Sequence, residues 1–289
     1  MNKSFDALKE ATDLRASSLL LAPQVLLLIV LLAYPLGVLA WQSLTIEAGG
    51  FSFDNYWAIF QSERYREAFV NTALLSVAST LLALIICVPA AIYIERGRSL
   101  SRRVVAILLS IPLSLPGIVI GFFIILNFGR TGVVPQTIEA VTGDRALTFA
   151  YTFWGLLLGY LYFQIPRVVL VVRGGVAGLS DDALSVARTL GAPTWRIYTN
   201  VILPTLRPAI INAASLSLAT AFGAFGTAAT LSRGYRVVPL EIAAAFTESF
   251  QPELAASLSL VLALTTTLIL VGIGQIANRS PDRSRRAQN

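Results

Sequence analysis

Apolar and polar residues are segregated into long blocks along this chain, not alternated at the short spacing of a half-buried strand or a surface helix. Apolar runs of about 20 residues can cross a bilayer core as helices. Such runs predict six spans: Ser18–Trp41, Phe69–Ile94, Val104–Phe128, Tyr151–Val172, Ala209–Leu231 and Leu254–Ala277. The pattern is that of an all-α membrane protein. A polar tail covers 1–17, a membrane domain 18–278 is interrupted by a polar loop at 179–208, and a second tail covers 279–289.

Charge orients these spans. With the N-terminus in the cytoplasm, 16 of the 22 Lys and Arg residues fall on inner segments. They are Lys3, Lys9 and Arg15, then Arg96, Arg98, Arg102 and Arg103, then Arg167, Arg173, Arg188, Arg196 and Arg207, and finally Arg279, Arg283, Arg285 and Arg286. Inner loops of membrane proteins carry such an excess. Topology thereby accounts for the formal charge of +6 without nucleic acid. The first run contains Val38-Leu39-Ala40, which resembles a signal cleavage site. Its apolar core exceeds the roughly 7–15 residues of a signal peptide, so it reads as a retained helix.

Within the blocks, punctuation predicts irregularity. Pro35, Pro89, Pro112, Pro116 and Pro166 fall in spans, with the densest break at Ser110–Gly117. Proline removes a helical hydrogen bond, which membranes tolerate where neighbours or water satisfy the freed carbonyl. That segment predicts a bent or unwound helix beside a cavity, or a kink serving packing alone. Ala221–Thr230 is rich in Gly and Ala, suited to close helix approach. Phe51–Phe60 is aromatic and amphipathic, an interface anchor.

Composition narrows the chemistry. Only 13% of the residues are charged and the mean hydropathy is +0.71, against about 25% charged in a soluble domain. The chain has no His, and its one Cys, Cys87, lies inside an apolar run. The commonest general base and metal ligand is thus missing, which argues against catalysis by this chain and against a metal site. No phosphate-binding Gly-x-x-x-x-Gly-Lys-Ser/Thr loop occurs.

The polar loop reads LSDDALSVARTLGAPTWRIYTNVILPTLRP. Ser180 is placed to cap a short helix, with Asp181 and Asp182 in the first turn where carboxylates suit the helix dipole. Gly191 allows a left-handed stop and Pro193 follows it. Thr194–Leu203 predicts a second short helix at an angle, the pair forming an elbow. The spacing resembles the signature of ABC-importer permeases: Glu-Ala-Ala, three residues, Gly, nine residues, Ile-x-Leu-Pro. Ala187, Gly191, Val201 and Leu203-Pro204 match it, while Ser185 and Val186 stand where the family has Glu and Ala.

The resemblance implies a type I importer permease with six transmembrane helices and a cytoplasmic coupling helix, in a bacterial cytoplasmic membrane with both termini inside. It implies two ATPase subunits that bind ATP and Mg, a second permease subunit and an extracytoplasmic solute-binding protein; this chain itself binds no cofactor. Asp182, Ser185, Ala187, Arg188, Leu190, Gly191, Ala192 and Trp195 become the expected ATPase contacts. Asp181 or Asp182, one turn before Ser185, is expected to replace the missing Glu in part. The irregular docking sequence favours a heterodimer over a homodimer of permeases.

Uncharged polar residues in the spans are the candidate pathway: Asn71, Ser76, Ser114, Asn127, Gln164, Asn212, Ser217, Thr220 and Thr227, with Glu241 at the outer mouth. Each alternatively makes an interhelical hydrogen bond. Nine outer acids against six outer Arg give a net of −3. That charge, with the likeness to spermidine/putrescine, iron(III) and thiamine permeases, makes a polyamine or related organic cation the first expectation; a small anion stays open. The competing readings are a six-span secondary transporter or channel, which needs buried charges or a filter motif, and a membrane enzyme, which needs clustered reactive side chains.

Overall fold

Among the described residues six helical stretches are long and apolar enough to cross a membrane, as expected, although the fifth is built differently from the prediction. The computed structural model describes residues 23–46, 50–97 and 99–278. The predicted tails 1–17 and 279–289, residues 18–22 of the first predicted span, Glu47 and Arg98 lie outside the described residues.

Helix α1 (Pro23–Ser43) buries none of its apolar window within the chain. It widens into a π turn at Ile29–Ala33, where the Tyr34 amide donates to the Ile29 carbonyl. The cause is Pro35, which has no N–H to return and crowds the turn before it. A short antiparallel pairing of Thr45–Ile46 with Gly50–Phe51 follows, then α2 (Asp54–Gln61). Phe53 just before α2, and Trp57 and Phe60 within it, point outward, whereas Ile59 packs with Ala245, Ala255 and Leu258.

Helix α3 (Glu63–Glu95) begins earlier than predicted because the charged turn Glu63–Glu67 is already helical. Its buried face carries Ala68, Thr72, Ser76, Ser79, Ala83 and Ala91, small enough to let α7 (Phe153–Ala177) and α9 (Thr194–Phe222) lie close. α7 is the central rod, with 61% of its apolar window buried.

The third predicted span, Val104–Phe128, is unwound at Ser110–Gly117, one of the two forms expected there. It consists of α4 (Leu100–Leu108), a 3-10 turn at Ile111–Ser114 and α5 (Gly117–Phe128). At about 1.5 Å per residue α5 alone is some 18 Å long, too short for a hydrocarbon core of about 30 Å. Pro112 and Pro116 force the interruption. A short helix α6 (Val133–Thr142) follows it.

The fifth crossing departs from the predicted Ala209–Leu231. It starts at Thr194, inside the polar loop, and the expected angled second helix is continuous with it through a π turn at Tyr198–Ile202. The Leu203 amide reaches the Tyr198 carbonyl there, because Pro204 next to it cannot donate. The crossing then breaks at Gly223–Ala224 and resumes as α10 (Phe225–Leu231). Helix α11 (Val238–Thr247) and the last span α12 (Pro252–Asn278) complete the chain.

The bundle's two ends follow from cross-links. The Ser257 hydroxyl at the start of α12 donates to the Ser43 carbonyl at the end of α1, at 3.0 Å. Arg236–Glu67 and Arg64–Glu241 pairs lie at that same end. At the opposite end Arg173 pairs with Glu95 at 2.7 Å, and Arg96 reaches Asp181 of the loop at 3.3 Å. The helices alternate between these ends, so both ends of the described chain share the elbow's side.

Candidate functional site

The elbow is built from α8 (Asp181–Thr189) and the first turn of α9. Asp181 and Asp182 stand in the first turn and Arg188 in the last, each complementing the helix dipole. Ser180 occupies the N-cap position but makes no side-chain cap, contrary to expectation. The Ser185 hydroxyl bonds back to the Asp181 carbonyl instead, at 2.8 Å.

The C-terminus explains the motif's spacing. Gly191 has φ +70°, the left-handed region that favours glycine. With it the Gly191 amide donates to the Arg188 carbonyl (2.9 Å) and the Ala192 amide to the Ala187 carbonyl (3.1 Å). These two bonds form a Schellman stop, whose usual apolar contact falls between the residues flanking it. Ala187 and Ala192 are those residues, and both pack against the core.

Leu184, Ile197, Ile202 and Leu206 are buried and fasten the elbow to the bundle. Its tip shows the reverse pattern: Leu190 is 79% exposed, and Val186 and Trp195 also face outward. The Arg196 guanidinium lies 5.4 Å from the Trp195 ring centroid. Adjacent exposed large apolar side chains of this kind mark interaction surfaces. Asp181 is engaged with Arg96 of its own chain, and Asp182 is left exposed with no salt bridge among the described residues.

Midway through the bundle the two interrupted crossings meet. Gly117, at the start of α5, accepts at its carbonyl a hydrogen bond from the Thr227 hydroxyl of α10, at 3.2 Å. The Tyr160 hydroxyl of α7 donates to the Ala224 carbonyl in the other break, at 3.1 Å. Both carbonyls stand at helix N-termini, where they also accept intrahelical bonds, so the two side-chain bonds act as cross-ties that hold the breaks against α7 and each other. A Cβ on Gly226 would stand 3.0 Å from the Ile118 amide nitrogen, so glycine permits the approach.

Beside this crossing lies a cavity of about 290 Å³, lined by Pro112, Leu113, Leu115, Phe163, Arg167 and Thr220 among others. Arg167 of α7 donates to the Thr220 hydroxyl at 3.1 Å. It stands six residues inward of Arg173, about 9 Å along the helix.

Of the predicted pathway residues, Thr220 and Thr227 line this cavity, and Ser114 sits in its 3-10 turn with its hydroxyl bonded to the Ile111 carbonyl. The others do not join them. Gln164 is fully buried against Ser79, which accepts its amide at 2.7 Å. Ser76 and Ser217 are buried, their hydroxyls without a partner among the described residues. Asn127 bonds to the Phe123 carbonyl of its own helix. Asn71 is half-buried on α3 and Asn212 exposed on α9; neither lines the cavity.

Glu241, expected at the outer mouth, is 6% exposed and held by Arg64 Nε at 2.6 Å, so its carboxylate ties α11 to α3. Arg167 is the residue that sequence reasoning missed. The charge pattern groups it with the inner loop and the pathway candidates in the spans are all uncharged, although it falls within the predicted run Tyr151–Val172. Its position right after Pro166, deep in that run, was the available signal.

The family model for the binding-protein-dependent transport system inner membrane component matches residues 87–280. The chain belongs to that family. This permease is similar to the molybdenum transport permease ModB of Mycobacterium tuberculosis, 28% identical over 76% of this chain and 82% of the relative. It is similar to the sulfate transport permease CysT of Escherichia coli, 26% identical over 91% and 92%. A thiamine transport permease, ThiP of Brucella abortus, is 28% identical over 79% of this chain and 42% of its own length. A chain of the solved bacterial ABC transporter involved in import of the acidic polysaccharide alginate superimposes with a TM-score of 0.81 at 18% identity, covering 97% of this chain and 100% of that one. The fold is thus that of an ABC-importer permease, and the protein is a multi-pass inner-membrane subunit of a transporter.

Proposed function

We propose that this permease forms the translocation pathway for a small oxyanion of the molybdate and sulfate kind, delivered by an extracytoplasmic binding protein. The observation that carries the mechanism is α9. It begins inside the elbow at Thr194 and ends at Phe222, next to the break that borders the cavity. One helix of about 43 Å therefore joins a surface suited to docking with the place where solute passes.

In this reading two ATPase subunits bind ATP and Mg and grip the elbow from the cytoplasm, where both chain termini also lie. Leu190, Val186 and Trp195 supply packing, Arg188 meets acidic or carbonyl groups, and Gly191, Ala187 and Ala192 keep the tip rigid. Ser185 offers no carboxylate, and Asp182 replaces it in part, since Asp181 is committed to Arg96. Closure of the ATPases moves the elbow, and α9 transmits the displacement to Gly223–Ala224, a shift of packed helices of the usual kind. A second, unlike permease completes the pathway; Ser185 and Val186, where the family has Glu and Ala, support such a division of labour.

The molybdenum and sulfate relatives support the oxyanion; a polyamine finds no such support, while the thiamine relative supports a related organic cation as the second reading. The outer net charge is a sum over whole loops. The ion pairs Glu67–Arg236, Glu139–Arg145 and Glu241–Arg64 leave that net charge unchanged, but the cavity itself presents a cation.

The test is ATP-driven uptake by the complex reconstituted in proteoliposomes with its ATPase, second permease and binding protein. Radiolabelled molybdate or sulfate accumulates, and Leu190→Asp abolishes accumulation together with ATPase association. Accumulation of spermidine in place of either oxyanion refutes the substrate; uptake that survives Leu190→Asp refutes the docking role.

A further inference from the structure

Arg167 is the one cationic side chain lining the mid-bundle cavity, and its setting is unusual for a structural arginine. No carboxylate lies within salt-bridge range of it among the described residues, whereas Arg64, Arg96, Arg145, Arg173 and Arg236 each have one. Its polar contact there is the Thr220 hydroxyl at 3.1 Å, and the Phe163 ring lies 5.9 Å away. Thr220 spends its own proton on the Leu216 and Ser217 carbonyls, at 2.8 and 3.0 Å, so its oxygen is fixed as an acceptor. One N–H of the guanidinium is thereby held.

A guanidinium offers five N–H donors in a planar fork. Charged side chains inside a membrane are costly, face cavities and mark substrate paths. Holding this one without a counter-ion makes sense if an anion supplies the missing partner. The cavity's remaining surface adds no opposing charge: Pro112, Leu113, Leu115, Ile120 and Ala224 are apolar, and Gly117 and Gly226 bring no side chain. Water's share of liquid volume is about 30 Å³, so about 290 Å³ accommodates a compact oxyanion with part of its hydration shell.

Resting on the oxyanion reading above, we infer that Arg167, oriented by Thr220, is a transient anion-binding residue of the pathway. Its fork receives two oxygens of a compact oxyanion, the geometry arginine matches and lysine does not. Thr220 is a positioning residue.

Two measurements test this in the full complex. In detergent, sodium sulfate raises the thermal midpoint of the wild type above sodium chloride at equal ionic strength. Arg167→Gln shows a smaller difference, what remains being sulfate's general stabilisation of folded protein, and Arg167→Lys falls between the two; an undiminished difference in Arg167→Gln counts against the site. In proteoliposomes, oxyanion uptake falls about tenfold or more in Arg167→Gln and less in Arg167→Lys. Thr220→Val weakens apparent affinity more than maximal rate. Both Arg167 variants are first shown to co-purify with the ATPase, so misfolding is not mistaken for loss of the site. If the wild type takes up oxyanion and Arg167→Gln matches or exceeds it, the subsite is overturned while the importer reading stands. A wild type that takes up no oxyanion overturns both.

Discussion

Substitution of Gly191 separates the backbone requirement of the elbow from the steric requirement of whatever docks on it. The residue sits at φ +70°, and a Cβ added there meets nothing within 4 Å. Alanine therefore creates no clash within the chain, and its cost is conformational: about 1–2 kcal/mol for an L-residue in the left-handed region. Asparagine enters that region far more readily. Valine, branched at Cβ, fares worse than alanine. A cost of 1–2 kcal/mol opens the Schellman turn roughly 5–30 times more often. The amide of Ala192, bonded to the Ala187 carbonyl at 3.1 Å, reports this directly. Hydrogen exchange at Ala192 accelerates by that factor in Gly191→Ala and much less in Gly191→Asn. ATP-driven uptake follows the same order, with Gly first, then Asn, Ala and Val. If uptake ranks by size instead, with Ala near wild type and Asn as damaging as Val, docking clearance governs the position and the backbone argument is refuted.

Other side chains make sharper stability tests. The Thr72 hydroxyl accepts from the buried Val238 amide at 2.9 Å, so Thr72→Val leaves that amide unpaired at a cost of about 1–3 kcal/mol. Thermal unfolding in detergent shows the loss, while Thr72→Ser stays near wild type. Removing Arg64 leaves the buried Glu241 carboxylate alone; Arg64→Ala lowers the unfolding midpoint more than Glu241→Gln, and equal effects would mean the pair neutralises nothing. Gly226→Val drives a side chain against Ile118 and Gly117, an overpacking cost of about 1–3 kcal/mol, and uptake falls with the midpoint. Cys87, 1% exposed, reacts with maleimide only after denaturation.

Hydropathy alone located the six spans, because crossing a bilayer is a demand each segment meets by itself. The elbow was legible for a similar reason: Ala187, Gly191 and Ala192 lie within six consecutive residues, so their spacing encodes the Schellman stop locally. The second helix of the elbow starts at Thr194 as expected but is not short, because the chain absorbs Pro204 in a π turn and runs on.

What the tertiary structure decided depends on partners far away in the chain. Glu241 finds Arg64 across 177 residues and Thr227 finds Gly117 across 110. A linear pattern states that a residue is polar but not what it meets. Arg167 shows the difference most clearly: as one more basic residue near an inner loop it signified topology. Only the meeting of two broken helices beside α7 places it at a cavity, since a charge acquires its meaning from the dielectric and the counter-charges that packing puts around it.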